Sequence, residues 1–248
     1  MTAYIVNAAP IHENSINYFS ASLGFYRIGY FVERYNLSDV STLEVDEDSP
    51  VFGGMESLNS ILPEYVGLNY YPEELTEYMH RDVHSVAIED VQVGDFFKPL
   101  PEDHKLFSPF VRDDSLQCQL TLKNIPSEHT VLTCKAVHFV SEFRVYVLEG
   151  DILDISYYKG DPTKFPNASI IKEMVSRVSH YAVAFGLDVG VLDTGETAVI
   201  EMNDFCCLGN YGLKAQHYAM CIAKRWTEIF RTFHPTHSFA PSKPVEPL

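Results

Sequence analysis

The sequence predicts an α+β protein in which a small α/β part precedes a larger part built from hairpins and helices. The larger part contains two segments that alternate like strands around tight glycine turns, which predicts β-hairpins. A segment with apolar residues at helical spacing lies between these hairpins. The chain has 248 residues, of which 46 % are hydrophobic and 21 % charged, as in folded globular proteins.

The first part alternates short strand-like and helix-like segments. Residues 50–58 predict a strand, a turn at Gly53 and Gly54, and the start of a helix. A glycine turn of this kind can direct backbone N–H groups at a ligand, and a purely structural turn is the alternative. Further strand-like segments lie at residues 4–6, 28–35 and 85–98.

The second part is predicted to contain two hairpins, each with a glycine in its turn, and two helices. Asn167 or Ser169 is the expected N-cap of the first helix, because both residue types accept hydrogen bonds from free backbone N–H groups. The hairpins span residues 143–158 and 187–204, and the helices span residues 169–185 and 213–233.

The composition changes along the chain and predicts three segments. We expect an N-terminal α/β domain over residues 1–84 and a larger domain over residues 85–233. Residues 234–248 form a predicted C-terminal tail with four prolines, which is typical of an extended or mobile end.

The net charge of −16 disfavours a nucleic-acid-binding protein, because a phosphate backbone requires a basic face. The charge is also uneven. Residues 1–97 contain 16 acidic and three basic residues, and the first lysine of the chain is Lys98. Any phosphate group is therefore expected to contact the second part.

The sequence also indicates a compartment. It has no apolar run of about 18 residues that would predict a membrane span, and its start lacks the features of a signal peptide. The five cysteines are an odd number, and none lies in a Cys-x-x-Cys pair. We therefore expect neither a disulfide framework nor a cysteine zinc site, and a reducing cytoplasm fits best.

The second predicted hairpin brings acidic side chains together. A two-residue turn at Thr194 and Gly195 places Asp188 directly opposite Glu201, and a four-residue loop closed by Leu192 and Thr197 gives the same pairing. Asn203 shares the face of Glu201, because side chains alternate along a strand. Facing carboxylates repel each other, and oxygen ligands of this kind suit Mg²⁺, which would remove the repulsion. The alternative is a solvated polar face at a strand end.

Lys98 ends an apolar strand just before Pro99, so the fold is expected to hold its side chain in place. An ammonium group in this position is a natural phosphate ligand. Lys105, in the loop that follows, is expected within reach of the same anion. The alternative is a lysine whose side chain extends from a strand edge into solvent.

A strand near residues 131–134 leads into an irregular link, after which a second strand begins with Glu142 and Arg144. These two side chains share one face, because they lie two residues apart. Lys159 ends the return strand of that hairpin. The alternative is a surface ion pair between Glu142 and Arg144 or Lys159, worth about 0–1 kcal/mol.

The order of these motifs resembles the ATP-grasp superfamily over residues 85–215. A lysine–proline strand end, a link followed by Glu-x-Arg, a helix and an Asp…Glu-x-Asn hairpin follow one another in the family's order. Residues 199–213 are most similar to the R-two-K clade of bacteria and phages. The resemblance implies an ATP-grasp fold of two α+β subdomains that clasp a nucleotide, preceded by a pre-ATP-grasp domain.

The resemblance also implies roles for individual residues. Asp188, Glu201 and Asn203 match the magnesium ligands of the family. The link from Cys134 to His138 matches the hinge whose backbone binds adenine, and Glu142 matches the acid that holds the ribose hydroxyls. The expected nucleotide-binding residues are Lys98, Lys105, Lys135, Ala136, Val137, His138 and Glu142. The expected catalytic residues are Lys98, Lys105, Arg144 and Lys159.

The resemblance implies an ATP- and Mg²⁺-dependent ligase that joins a carboxylate to an amine through an acyl phosphate. Its expected partners are ATP and small-molecule or peptide substrates, without nucleic acid or membrane. The oligomeric state is left undecided between a monomer and a homodimer. The alternative is a non-catalytic nucleotide-binding or interaction module with the same fold. A structural protein without a nucleotide is the third reading.

Two features depart from the family pattern. The loop after Lys98 lacks the usual glycines, and Lys105 is expected to act in their place. Gly186 stands where D-alanine–D-alanine ligases carry a basic residue near the acyl phosphate. Arg144 or Lys159 is expected to substitute for that missing base.

Overall fold

A computed structural model describes residues 1–7, 15–103 and 106–234, which form three sheets with helices packed against them. The sheet of the N-terminal part is parallel, as expected for a small α/β unit. Its elements are β1 (Thr2–Val6), α1 (Ser15–Arg27), β2 (Phe31–Tyr35), β3 (Val51–Phe52) and α2 (Met55–Ile61). The strand order in this sheet is β2-β1-β3.

The second sheet is antiparallel and follows the short helix α3 (Thr76–Met79). Its elements are β4 (His84–Ala87), β5 (Asp95–Lys98), β6 (Phe110–Val111), α4 (Leu116–Lys123) and β7 (Thr130–Lys135). The strand order is β4-β7-β5-β6, so β5 lies inside the sheet.

The third sheet is also antiparallel and contains the longest strands. Its elements are β8 (Phe139–Leu148), β9 (Asp151–Gly160), α5 (Ala168–Val178), β10 (Ala184–Leu192), β11 (Thr197–Asp204) and α6 (Ala215–Phe233). The strand order is β11-β10-β8-β9. Among the described helices, none combines the length and the apolar character that a bilayer crossing requires.

Both predicted hairpins and the strand at residues 4–6 are confirmed, while the strand predicted at residues 28–35 begins only at Phe31. Residues 85–98 contain parts of two strands, β4 and β5, with a turn between them.

The largest difference concerns the helix between the hairpins. Asn167 caps α5 as expected, but the helix ends at Val178 instead of residue 185. Ala184 and Phe185 continue the apolar spacing of the helix, yet they pair with β8. Strand pairing outweighs the local helical preference at this point. Residues 235–248 of the predicted tail lie outside the described residues.

One face of the third sheet is apolar and packs against α5. Val145 of β8 and Leu187 of β10 are fully buried there, together with Met174 of the helix. Burying an aliphatic side chain of this size stabilises a fold by about 1.5–3 kcal/mol. Because side chains alternate, this packing fixes which residues of the same strands point to the opposite face.

Helix α6 joins the third sheet to the N-terminal part. It packs so closely on α1 that a Cβ atom at Gly24 would lie 1.9 Å from the carbonyl oxygen of Ala215. Farther along α6, Trp226 is buried in one cluster with Leu58 of α2. Its indole nitrogen donates to the carbonyl oxygen of Asp46 at 2.8 Å. The N-terminal part therefore shares its hydrophobic core with α6.

A buried ion pair fixes the end of β11. The Nε and Nη2 atoms of Arg225 donate to Asp204 at 3.1 and 2.8 Å. Nη2 also donates to the Tyr65 hydroxyl at 2.6 Å, and that hydroxyl donates to Asp204. Burial alone would raise the pKa of Asp204, but these partners outweigh it and hold that pKa below its ordinary value. The pair therefore ties α6, β11 and the N-terminal part together.

We expect Arg225→Met to lower the free energy of unfolding by about 3–5 kcal/mol, because it leaves the Asp204 carboxylate buried without its cation. Urea denaturation at pH 7 measures this loss. Since the pKa of Asp204 is depressed, the contribution of the pair is complete above the ordinary carboxyl range. It disappears as the pH falls through the depressed pKa.

The matched control is Arg177→Met, because Arg177 forms exposed ion pairs with Glu77 and Glu173. Its urea midpoint should stay near that of the parent protein. Arg225→Lys keeps the charge and should lose less stability than Arg225→Met. Equal midpoints for the parent and Arg225→Met would contradict this account.

Candidate functional site

The polar face of the third sheet collects charged side chains from three neighbouring strands. Asp188 of β10 pairs with Arg144 of β8 on one side and with Glu201 of β11 on the other. Asn203 lies two residues beyond Glu201 on the same face. Arg144 and Asp188 are buried, with 7 % and 3 % of their surface exposed. The side chains predicted to bind magnesium therefore converge.

These residues form one continuous network with Lys98, called here the ion-pair network (Lys98, Glu201, Asn203, Asp188 and Arg144). The guanidinium of Arg144 donates to both carboxylate oxygens of Asp188 at 2.7 Å. The amide nitrogen of Asn203 donates to Asp188 at 3.2 Å and to Glu201 at 3.1 Å. Lys98 donates to Glu201. Two cations and two anions balance within the network.

Because of this balance, Asp188 and Glu201 do not form the unpaired, repelling pair of carboxylates that the sequence predicts. The sequence predicts two carboxylates that repel each other, whereas each carboxylate here has its own cation. Burial raises the pKa of Asp188, and Arg144 opposes that rise. Burial also acts to raise the pKa of Glu201, but Lys98 and Asn203 outweigh it and lower that pKa.

Glu201 faces Asp188 through a different local geometry from the predicted one. The hairpin closes with a three-residue loop, in which Leu192 bonds to the carbonyl of Glu196 and Gly195 adopts a φ of +89°. Both predicted closures, the two-residue turn and the four-residue loop, are therefore wrong. A β-bulge at Ile200 adds one residue to β11 and restores the predicted pairing of Asp188 with Glu201.

Lys98 lies at the boundary between the second and third sheets. Only 5 % of its surface is exposed, so the alternative of a solvent-exposed side chain at a strand edge is wrong. Its ammonium group lies 3.5 Å from the centre of the Tyr70 ring, a cation–π contact. The Tyr70 carbonyl accepts a hydrogen bond from the Met202 amide at 2.8 Å. The loop around Tyr70 therefore spans from Lys98 to β11.

A cavity of about 340 Å³, called here the hinge cavity, opens beside Glu201. Three predicted nucleotide-binding residues line it, namely Val137, His138 and Glu142, and so does Lys159, which was predicted as a catalytic residue. Its remaining lining residues are Tyr71, Arg81, Phe96, Cys134, Phe139, Ile200 and Glu201. The irregular link that precedes β8 thus forms one wall of a largely apolar cavity.

The structure places the other predicted residues differently. Lys135 ends β7 and bonds to Asp95 at 2.6 Å, with most of its side chain exposed. Ala136 lies in the link but does not line the hinge cavity. Lys159 bonds to Glu142 at 2.6 Å at the cavity wall, away from the Arg144–Asp188 pair. Lys105 lies outside the described residues.

Gly186 lies against Leu208, at the position where the resemblance to D-alanine–D-alanine ligases predicts a basic residue. A Cβ atom at Gly186 would lie 2.6 Å from Leu208, so the leucine occupies the space of any larger side chain there. Arg144 lies nearby, since it donates to the carbonyl of Gly209 at 3.2 Å. Of the two predicted substitutes for the missing base, the geometry favours Arg144 over Lys159.

Sequence analysis missed three residues of the site: Arg81, Tyr70 and Tyr71. Arg81 donates to backbone carbonyls of β11, and Tyr70 and Tyr71 lie close to Lys98. One signal was available, because Arg81 is the single basic residue between Arg34 and Lys98 in a strongly acidic segment. The tyrosines carry no local pattern that separates them from ordinary loop residues.

The network offers oxygen ligands that fit a hard cation such as Mg²⁺. Its donor set contains two carboxylates and the Asn203 side chain, whose oxygen would face the metal after a half-turn of the amide. Across the described ranges, no three His, Cys, Asp or Glu side chains lie close enough to hold a metal. A cation would therefore bind with few protein ligands and would have to displace Lys98 and Arg144 from the carboxylates.

Comparison with solved structures assigns the fold. A D-cycloserine synthetase, DcsG, matches with a TM-score of 0.58 at 14 % identity, over 91 % of this chain and 100 % of that chain. A D-alanine–D-alanine ligase from Bacillus anthracis matches with a TM-score of 0.57 at 11 % identity, over 94 % and 99 %. N5-carboxyaminoimidazole synthetase from Staphylococcus aureus matches with 0.56 at 11 % identity, over 90 % and 77 %. The chain thus has the predicted ATP-grasp fold.

Comparison with family models assigns the family. No curated protein matches the sequence significantly. The model for the ATP-grasp domain of the R-two-K clade, family 2, matches residues 78–221, which is more than half of the chain. The match includes every residue of the ion-pair network. The chain therefore belongs to the ATP-grasp domains of the R-two-K clade, family 2.

Proposed function

We propose that this protein is an ATP- and Mg²⁺-dependent ligase that joins a carboxylate to an amine. One observation carries the proposal: Lys98, Arg144, Asp188, Glu201 and Asn203 converge on one face between two sheets. Such a cluster can neutralise and orient transferring phosphoryl oxygens. The ligases of the same fold support the reaction type.

The hinge cavity is the proposed site for the nucleoside of ATP. Its volume of about 340 Å³ and the apolar part of its lining, which includes Phe96, Val137 and Ile200, suit a flat heterocycle. The backbone of Val137 and His138 would bind the base, and Glu142 would accept from the ribose hydroxyls once it releases Lys159. Glu201 also lines the cavity and bonds to Lys98. The phosphates would therefore extend from the cavity toward Lys98.

Asp188, Glu201 and Asn203 are the proposed magnesium ligands. When bound, the metal would supply positive charge that neutralises the phosphate oxygens. Lys98 and Arg144 neutralise the same carboxylates in this structure. We propose that the arrival of phosphate draws Lys98 from Glu201, so that the carboxylates become available together with the nucleotide.

The proposed chemistry needs positioning more than covalent help from the protein. A substrate carboxylate oxygen attacks the γ-phosphorus of ATP, and the bond to ADP breaks, which gives an acyl phosphate. The amine then attacks the acyl carbon, phosphate leaves, and the amine gives up a proton. Arg144, beside the Gly209 carbonyl, would bind the acyl phosphate. Lys105 and Lys159 are further proposed contributors to charge neutralisation.

A second cavity of about 430 Å³ is the proposed site for the substrates. It lies between the N-terminal part and the segment that follows β11, and Gly209 in its wall links it to Arg144. Residues of the N-terminal part that line it are Ile16, Asn17, Tyr18, Phe52 and Gly54. We therefore propose that residues 1–84 form the domain that selects the substrate and residues 85–233 the domain that binds ATP.

We expect ATP with Mg²⁺ to stabilise the protein against heat. A ligand at 100 times its dissociation constant should add about 2.7 kcal/mol to the free energy of unfolding. Differential scanning fluorimetry with ATP, with Mg²⁺, and with both measures this effect. The shift should require nucleotide, because Lys98 and Arg144 occupy the carboxylates when no phosphate is present.

Lys98→Met is expected to weaken nucleotide binding by about tenfold or more, since it removes a charge-assisted contact to phosphate. Lys224→Met is the matched control, because Lys224 of α6 forms an exposed ion pair with Glu149. A Lys98→Met protein that is folded and binds ATP as tightly as the parent would remove Lys98 from the site.

We further expect ADP release to depend on an amine acceptor. A carboxylate substrate alone should give at most one ADP per protein, because the acyl phosphate has no partner. A coupled ADP assay across amino acids, peptides and polyamines tests this expectation. If ATP binds but no acceptor raises ADP output above background, the non-catalytic nucleotide-binding module becomes the better account.

A further inference from the structure

We propose that Arg81 is a positioning residue that holds Glu201 opposite Asp188 by bonding to the β-bulge of β11. The inference rests on the proposed function, in which Glu201 and Asp188 bind the metal together. Arg81 lies 118 residues before Val199 along the chain, yet its guanidinium reaches both carbonyls at the bulge. It does not belong to the ion-pair network.

The bulge decides where Glu201 points. On the turn side of the bulge, Val189 pairs with Val199, which follows from the three-residue loop. Continuing that register without a bulge would pair Asp188 with Ile200 and turn Glu201 to the apolar face beside Leu187. The additional residue, Ile200, shifts the register by one, so that Glu201 pairs with Asp188 instead.

A bulge interrupts the hydrogen bonds of the ladder, so its carbonyl groups need other donors. Arg81 supplies them: Nη1 donates to the carbonyl of Val199 at 2.9 Å and Nη2 to that of Ile200 at 2.7 Å. The fork of two guanidinium nitrogens matches two successive carbonyl groups, which a single ammonium group cannot do with the same geometry.

Arg81 is itself held from several sides. Nη1 also donates to the carbonyl of Met79 at 2.9 Å, at the end of α3. Its guanidinium carbon lies 5.9 Å from the centre of the Tyr71 ring and 5.6 Å from that of Phe139. The side chain thus connects α3, the loop before it and the start of β8 to the bulge. A guanidinium fixed in this way restrains the backbone just before Glu201.

The closing experiment compares nucleotide affinity with and without Mg²⁺ in the parent, Arg81→Met and Arg81→Lys. Isothermal titration calorimetry with a non-hydrolysable ATP analogue gives the factor by which Mg²⁺ tightens binding. In Arg81→Met we expect this factor to fall at least tenfold, in addition to any loss of metal-free affinity that follows from the changed wall of the hinge cavity. Arg81→Lys should recover part of the factor, since its ammonium still donates to one carbonyl.

The matched control is Arg112→Met. Arg112 also donates to backbone carbonyls, those of Glu89 and Val91, but in the second sheet. Its Mg²⁺ factor should equal that of the parent. An unchanged factor in Arg81→Met would overturn the proposal. So would a loss of metal-free affinity with an unchanged factor, because Arg81 would then bind the nucleotide directly.

A ligand-free measurement separates this inference from the proposed function. In Arg81→Met without nucleotide, amide hydrogen exchange at residues 199–201 should accelerate at least tenfold, while that of residues 187–191 stays the same. Unchanged exchange at the bulge would overturn the inference whatever the ligand results. If exchange is faster in Arg81→Met but Mg²⁺ does not tighten nucleotide binding to the parent, the proposed metal site fails and the role of Arg81 at the bulge stands.

Deletion of Ile200 gives a second test of the same proposal. The deletion removes the bulge, but it leaves Val199 paired with Val189 and Glu201 paired with Asp188 in one register. In that background, Arg81→Met should change the Mg²⁺ factor less than twofold. A tenfold loss in both backgrounds would mean that Arg81 acts through something other than the bulge, and the proposal would fail.

Discussion

The contact between Lys98 and Glu201 joins the second sheet to the third, and the rest of the site depends on it. Glu201 lies beside a second buried acid, Asp188, and two unpaired carboxylates would not persist there at neutral pH. Lys98 and Arg144 make the arrangement stable by giving each acid one cation. If Lys98 and Arg144 turn to phosphate while the two acids turn to Mg²⁺, the site binds both without creating a large net charge.

The position of Glu201 in turn depends on how β11 is held. Arg225 bonds to Asp204 at one end of the strand, and Arg81 bonds to the carbonyl groups of the bulge nearer the other end. Glu201 and Asn203 lie between these two anchors. Arg225 comes from the last described helix and Arg81 from the region before the second sheet, so distant parts of the chain fix one short segment.

The strands and hairpins could be predicted because hydrophobic alternation is a local signal. The fold and the roles of most network residues were predicted from the resemblance that the order of the polar motifs carries. The pairing of Asp188 with Glu201 was right although the predicted turn was wrong, because the three-residue loop and the bulge shift the register by one residue in opposite directions. From local periodicity, α5 was predicted to end at residue 185, seven residues beyond its end at Val178. Arg81 could not be assigned a role, because its partners lie 118 and 119 residues away.

The most direct test of the central claim is calorimetry of the ATP analogue with the parent and Glu201→Gln, each with and without Mg²⁺. The substitution keeps the shape of the side chain and removes the charge that Lys98 balances. We predict that Mg²⁺ tightens binding to the parent but not to Glu201→Gln, whose metal-free affinity stays near that of the parent because Lys98 remains free to meet phosphate. Equal tightening by Mg²⁺ in both proteins would contradict the claim that Glu201 exchanges Lys98 for the metal.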